Sequence, residues 1–314
     1  MARSTKQQND LSKGWKTLHG IWKWSLEQKV RHSLGLLMQV FEKHENPVLC
    51  WSGGKDSTVV LHLARSLSPD IPIIYVDTGV EFPESSEFVR LLIEKWKLNS
   101  TVAEPLENEG FWRLGERYGW PIFGKSVASN VERAVNTGNI RTQLSALERI
   151  LAVNKIRISH RCTEFIQERP SKRAEEALSA DVKIIGLRAS ESRARVRLWV
   201  DYGDHYYVKR YFGRRKGIWK VNPIATWTEQ DIWKYHEMNS IPYCKLYDIG
   251  YPRNGCWPCA MGVVSGQLKR LKRGHPTLFE YLIGQTAMGE ELRRIRGILL
   301  KSDTPLGFNL NELF

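Results

Sequence analysis

Residues 52–57 read Ser-Gly-Gly-Lys-Asp-Ser. Gly53 and Gly54 let the backbone approach an anion closely. Lys55 adds a point charge, and Ser52 and Ser57 add hydroxyl donors. The segment sits where an apolar run, Pro47 to Trp51, gives way to helix-compatible spacing from Thr58 to Ala64. Free N–H groups at a new helix start point at a bound anion, and the helix dipole favours negative charge there. The pattern is a phosphate cradle but not a Walker A loop, which requires Gly-x-x-x-x-Gly-Lys-Ser/Thr. Asp56 repels phosphate unless Mg²⁺ bridges the two. The bland alternative is that the glycines only make the turn; it leaves the carboxylate beside Lys55 without a purpose.

A second constellation is sulfur. Cys256-Trp257-Pro258-Cys259 is a C-x-x-C element after Gly255; Cys244 precedes it by 12 residues and Cys162 lies far upstream. Four thiolates from three segments can enclose a tetrahedral zinc or an iron–sulfur cubane. A zinc ribbon needs two C-x-x-C pairs, so a 4Fe–4S cluster is preferred over zinc, and non-metal roles stay open. Cys50 lies inside the first strand and reads as a small buried hydrophobe.

These groups need a frame. Trp15, Leu18, Ile21, Trp22, Leu26 and Val30 recur at helical spacing, and Leu34, Leu37, Met38 and Phe41 extend it into a second helix. Ile71 to Val76 predicts a buried strand that ends in Asp77-Thr78-Gly79, and Glu81-Phe82-Pro83-Glu84 opens a helix to about Trp96. Asn99 to Val102 adds a third strand. Strand–loop–helix repetition predicts a doubly wound, mostly parallel α/β sheet, with ligands beyond the carboxyl ends of the strands. Asp77 lies at such an end, although Asp77 or Thr78 as a helix cap competes with a binding role. Asn130 to Lys155 reads as helical and basic. Val182 to Gly186 is another strand, followed by Arg188, Arg193, Arg195 and Arg197, whose forks suit phosphate or sulfate. Tyr202 to Lys220 holds five tyrosines and phenylalanines with six lysines and arginines, and reads as a hairpin with a basic tip. Thr228 to Asp231 is a helix start, and the stretch from Leu268 on is helical and basic.

The net charge of the 314-residue chain is +13, and it carries twelve tryptophans. A basic surface with interleaved aromatics suits a polyanion, most simply nucleic acid. Five cysteines argue against a disulfide framework in a cytosolic setting. No apolar run approaches a membrane span and no signal peptide is recognisable, so the expected location is the cytoplasm.

The hexapeptide resembles the PP-loop of the ATP pyrophosphatase superfamily. Further segments together resemble the phosphoadenosine-phosphosulfate (PAPS) reductase family. These are Val76 to Pro83, Gly186-Leu187-Arg188, Arg161-Cys162 with Arg169-Pro170, and a long run from Asn222-Pro223-Ile224 through Leu246-Tyr247-Asp248 to Cys259. The resemblance covers roughly residues 45–262. It implies an adenine nucleotide alpha hydrolase-like domain over 46–220, preceded by a helical segment (1–45) and followed by a Cys-containing, basic helical region (221–314). It implies a nucleotide site of Ser52, Gly53, Gly54, Lys55, Asp56, Ser57, Asp77, Thr78, Gly79 and Arg188, with Lys55, Asp56 and Ser57 catalytic. Cys162, Cys244, Cys256 and Cys259 would hold the cluster.

Two departures shape the functional expectation. Cluster-bearing reductases of this family carry adjacent cysteines where this chain has Arg161-Cys162. They also carry a cysteine in a C-terminal tail, whereas no cysteine follows Cys259. A branch using ATP, similar to the DndC and SspD type of DNA phosphorothioation, is therefore favoured. In it ATP and Mg²⁺ occupy the cradle, a DNA phosphate is adenylated, and sulfur from a cysteine desulfurase displaces AMP. That reading implies DNA, a desulfurase and other modification-system subunits as partners, and admits a homodimer. The alternatives are a sulfonucleotide reductase acting on PAPS or its 3′-dephospho analogue, APS, and a tRNA-thiolating adenylating enzyme.

Overall fold

The computed structural model describes residues 5–140, 143–209 and 217–302. In chain order the elements begin α1 (Thr5–Trp22), α2 (Leu26–Lys43), β1 (Pro47–Cys50), α3 (Lys55–Leu67), β2 (Ile73–Val76), α4 (Pro83–Trp96) and β3 (Ser100–Ala103). There follow α5 (Phe111–Tyr118), α6 (Lys125–Thr137), α7 (Ala146–Val153), α8 (Arg169–Ala177), β4 (Val182–Ile185), α9 (Arg193–Tyr202), β5 (His205–Val208) and β6 (Ile218–Val221). The last are α10 (Glu229–Met238), α11 (Gln267–Gly274), α12 (Pro276–Gln285) and α13 (Ala287–Leu300). The chain forms two compact units. The first comprises the chain up to Val76 with Glu84–Ala103 and Ser171–Tyr247; the second comprises Asp77–Pro83, Glu104–Pro170 and the chain from Asp248 on.

The first unit is an α/β sandwich around a six-stranded sheet in the order β3-β2-β1-β4-β6-β5. All neighbours are parallel except β5, which runs antiparallel to β6. Strand side chains alternate between two faces, and both are covered. Leu49, Ile73, Tyr75, Val182, Ile184 and Val221 pack on one side with Leu37 and Val40 of α2, Val59, Val60, Leu61, Leu63 and Ala64 of α3, Val89 of α4 and Ile232 of α10. Val48, Ile74 and Ile218 pack on the other with Ala174 of α8. The expected doubly wound parallel sheet is therefore what forms. The chain winds from β1 outward through β2 to β3, then returns to β4 on the opposite side of β1. The β1–β4 boundary is thus the point where strand order reverses, and ligands of open α/β sheets lie beyond the carboxyl ends of strands at such a point.

Local signals set the helix boundaries. Hydrophobic spacing ran a single helix from Trp15 to Val30, but α1 stops at Trp22 and Leu26 and Val30 belong to α2. Ser25 makes the break: its hydroxyl accepts from Gln28 N–H while its own N–H donates to Gln28 Oε1, a capping box. The continuous helix expected over 130–155 is likewise two helices, α6 and α7, because Ser145 and Glu148 cap the second afresh. Thr228 and Asp231 do the same for α10, at the helix start that the sequence predicts. Asp231 also accepts from the buried Lys29 of α2 at 2.7 Å. That pairing answers the desolvation of an ammonium that is 2% exposed.

The second unit is helical, with α6 against α7, and α12 between α11 and α13. Leu268, Leu271, Leu282, Leu292 and Ile295 give the C-terminal helices a buried core. A π-helical turn, Thr163–Glu168, follows Cys162. Strands β5 and β6 are the arms of the expected hairpin; its basic tip, 210–216, lies outside the described residues. Among the described residues no helix is long and apolar enough to cross a membrane.

Candidate functional site

The cradle occupies the end of β1 and the first turn of α3. Gly53 has φ +69°, a left-handed conformation that favours glycine. Gly54 is the N-cap of α3 and gives the helix no side-chain cap. The turn is held from inside. Ser52 N–H donates to Ser57 Oγ at 3.2 Å, and the two serine hydroxyls lie 3.0 Å apart. Ser57 and Thr58 hydroxyls both donate to Gly54 O. Trp51 Nε1–H donates to Thr58 Oγ1 and fixes the strand to the helix. From the neighbouring strand, Gly186 comes so close that a Cβ there would stand 2.9 Å from Ser57 Cα and N.

Two cations converge on this turn, and both are nearly inaccessible. Lys55 is 2% exposed and Arg188, just beyond β4, is 3% exposed. Arg188 Nε donates to Asp56 Oδ1, and its Nη1 donates to Ser190 Oγ at 3.0 Å. Lys55 Nζ lies 3.7 Å from Asp56 Oδ2 and over the Tyr247 ring, 4.9 Å from its centroid.

Sequence reasoning missed several members of this site. Glu229, at the start of α10, lies 3.4 Å from Lys55 Nζ and 3.5 Å from Arg188 Nη2. Burial alone would raise its carboxyl, but Lys55 and Arg188 bring it below the usual carboxylate range. Tyr247 Oη accepts the Lys55 backbone N–H at 3.0 Å. His236 Nε2 contacts Lys55 O at 3.0 Å. Tyr247 stood within the Leu-Tyr-Asp segment read from sequence, and Glu229 within the helix start, so both were visible but without a role. Of the expected arginine cluster only Arg188 joins the cradle. Arg193 and Arg197 are exposed along α9, and Arg195 pairs with Glu191.

Asp77, Thr78 and Gly79 belong to the second unit. They form a self-contained turn in which Gly79 N–H donates to Asp77 Oδ1 at 2.8 Å. Thr78 gives both its N–H and its hydroxyl to Glu81 Oε1. The turn packs on the C-x-x-C loop: Glu81 forms a β-bridge with Cys256, Trp257 N–H donates to Val80 O, and Thr78 Oγ1 lies 3.6 Å from Cys256 Sγ.

Cys162, Cys256 and Cys259 influence one another. Burial pushes the Cys162 and Cys256 thiols each up to about 12, and the neighbouring Cys259 adds to both shifts. Burial raises Cys259 as well. Cys244 is in the first unit, fully buried, with Sγ 3.8 Å from Ser85 Oγ. The expected four-thiolate set finds no support: among the described residues no group of three or more His, Cys, Asp or Glu side chains is placed to hold a metal ion. Cys50, read as a buried small hydrophobe, lies in β1 but is only partly buried; its desolvated surroundings push its thiol up to about 11.

A sequence model of the phosphoadenosine phosphosulfate reductase domain matches residues 46–261. The chain is 31% identical over 207 residues to a phosphoadenosine 5′-phosphosulfate reductase of Xylella fastidiosa, covering 66% of this chain and 69% of that one. It is 26% identical over 258 residues to an uncharacterised protein of Methanocaldococcus jannaschii, covering 81% of this chain and 52% of the other. Among solved structures, a PAPS reductase from Candida auris in complex with phosphate superposes with a TM-score of 0.48 and 18% identity, over 82% of this chain and 97% of that one.

Proposed function

The chain belongs to the phosphoadenosine phosphosulfate reductase family, and we propose that its cradle binds the anionic end of an adenosine sulfonucleotide for reductive release of sulfite. One observation carries this reading: two cations, Lys55 and Arg188, each no more than 3% exposed, converge on a helix start whose N-cap residue lacks a side chain. Buried cations persist where they meet anions, a place that Asp56 and Glu229 fill in the free protein and a ligand's anion can share, and a helix N-terminus adds donors of the right sign. The substrate class follows relatives such as the Xylella fastidiosa protein, which is named as a reductase of this sulfonucleotide. Within the cradle Ser52, Gly53, Gly54 and Ser57 shape the turn, with the Ser52 N–H and both serine hydroxyls engaged inside it in the free protein. Lys55 and Arg188 supply the charge, and Asp56 holds Arg188 in place. In this reading a dithiol partner protein supplies the attacking thiol, and burial, which raises the Cys162, Cys256 and Cys259 thiols, supports no activated nucleophile among them.

A second reading is supported by the basic C-terminal helices beyond residue 261. Lys269, Arg270, Lys272 and Arg273 lie on α11 and Arg293, Arg294 and Arg296 on α13, and Lys272, Arg293 and Arg296 line a cavity of about 420 Å³. Such a surface suits a nucleic-acid backbone. In this reading the cradle takes ATP and activates a DNA phosphate by adenylation, a desulfurase supplies the sulfur, and other modification-system subunits assemble with it. Mg²⁺ would arrive on the triphosphate, keeping several of its waters beside the phosphate oxygens. Asp56 is the one carboxylate of the hexapeptide. Among the described residues no metal-holding group lends either reading the support of a cluster.

One assay separates the two. Purified protein is offered PAPS with reduced thioredoxin, or ATP with Mg²⁺ and duplex DNA. Sulfite from the former supports the reductase; AMP and pyrophosphate from the latter support the ATP-dependent reading. Lys55→Ala should abolish whichever activity is found. Full turnover in that variant would overturn the cradle assignment.

A further inference from the structure

The charges of the cradle add to zero within the protein itself. Lys55 and Arg188 face two carboxylates, Asp56 and Glu229. The carboxylates are not equivalent. Asp56 sits in the first turn of α3, is 20% exposed and is held tightly by Arg188 Nε. Glu229 reaches in from α10, is 56% exposed, and contacts its cations only at 3.4 and 3.5 Å. Its two oxygens are divided between the two cations, Oε1 toward Lys55 and Oε2 toward Arg188, as two oxygens of a phosphate or sulfonate would be.

We propose that Glu229 is an internal stand-in for the ligand's anion, occupying Lys55 and Arg188 in the free protein and displaced when the ligand binds. The inference rests on the anion-binding reading of residues 52–57. Displacement is cheap in one direction and costly in the other. The Glu229 carboxylate is already half in water, so releasing it requires little further hydration. Asp56 cannot leave without uncovering the buried Arg188 guanidinium. Tyr247 completes the occupied state by accepting the Lys55 N–H, a donor that α3 would otherwise offer to an anion.

This arrangement makes Glu229 a specificity-determining residue. A ligand gains only the difference between its own contacts with Lys55 and Arg188 and those that Glu229 gives up. A singly charged group at the cradle merely replaces one negative charge by another. A multiply charged phosphate or phosphosulfate chain gains beyond the exchange. Glu229 thereby filters out weak anions while leaving the two cations paired when no ligand is present.

The test is isothermal titration of the full chain with PAPS and with ATP, each in EDTA so that no divalent cation intervenes. Three variants are compared. Glu229→Gln removes the competing charge, Glu229→Asp keeps the charge at the start of α10 but withdraws it by one methylene, and Glu237→Gln removes an exposed charge elsewhere on α10. For any ligand that binds the native chain, Glu229→Gln is expected to bind about fivefold tighter, the release of two partly exposed ion pairs. Glu229→Asp should fall between the two, and Glu237→Gln should stay within about twofold of native. Unchanged or weaker binding in Glu229→Gln overturns the stand-in while leaving the cradle reading intact, as does equal tightening in Glu237→Gln. Binding of neither nucleotide by native or variant protein overturns the cradle reading, and the stand-in with it.

Discussion

Arg188 reaches from the end of β4 to Asp56 in the first turn of α3, and its Nε donates directly to the Asp56 carboxylate. The contact joins the two strands that flank the point where sheet order reverses. It is also almost wholly withdrawn from water on the arginine side. Removing one partner of a buried pair is more damaging than replacing both, because the other charge stays behind. Arg188→Ala is therefore expected to lower the unfolding free energy by about 3 kcal/mol, read from urea denaturation, and to abolish nucleotide binding. Arg188→Lys keeps the charge but loses the planar fork that serves Asp56, Ser190 and Glu229 together. It should recover part of the stability and little of the binding. A loss below about 1 kcal/mol in Arg188→Ala would place the pair among ordinary surface ion pairs.

Gly186 tests the same junction through sterics. An added methyl group would press on the backbone of Ser57, which cannot swing aside as a side chain can. Overpacking of this kind costs about 1–3 kcal/mol. The strain falls on the start of α3, so Gly186→Ala should weaken ligand binding by more than its loss of stability suggests. Calorimetric melting and binding titration on the same preparation provide the comparison. Native-like affinity in Gly186→Ala would show that the strand and the cradle are less tightly coupled than their separation indicates.

How much of this was legible in the chain itself depended on distance along it. The hexapeptide, the strand before it and the helix after it are contiguous, so residue type and spacing were enough. The start of α10 was equally legible, because Thr228 and Asp231 form a local capping box. The break at Ser25 was hidden, since Trp22 and Leu26 keep helical spacing across it. Tyr247 and Glu229 could not be assigned to the cradle, because only the fold brings them to Lys55, 192 residues away in the case of Tyr247. The cysteines show the same limit. Spacing alone cannot tell which thiols meet, and Cys244 proves to lie beside Ser85. Asp77 and Thr78 ended a strand as expected, yet their polar groups turn inward on Gly79 and Glu81.

Two histidines of the first unit should titrate in opposite directions. His32 Nε2 lies 2.9 Å from Asp204 Oδ2. That hydrogen bond, opposed by burial and aided by the Asp204 charge, holds His32 above its usual 6.5. Its contribution to stability is full below about pH 6.5 and is lost as pH rises through the folded-state value. His205 is the converse. Burial, then the nearby His44 and Lys43, hold it below 6.5, and its Nε2 has no hydrogen-bond partner among the described residues. Its contribution is full above about pH 6.5 and is lost as pH falls below that. Proton NMR of the imidazole resonances should show His32 titrating above 6.5 and His205 below it. Asp204→Asn should bring His32 back toward 6.5 and leave His205 unmoved. An unchanged His32 in that variant would assign its shift to something other than Asp204.

The thiols of the second unit make the sharpest pH prediction. Cys162 and Cys256 are each raised to about 12 from an ordinary 9.0, chiefly by burial. Between those values the native protein keeps protons that the unfolded chain has released. The proton count then favours unfolding increasingly as pH rises, so stability should fall from about pH 9 toward pH 12. The same protonation controls reactivity, because the thiolate is the nucleophile. Alkylation of native protein by iodoacetamide, followed by peptide mass spectrometry, should leave Cys162 and Cys256 largely unmodified at pH 8. Both should react quickly once urea unfolds the chain at that pH. Rapid modification of either in the native state at pH 8 would mean a thiolate is already present, and would return that cysteine to the candidates for direct attack on sulfur.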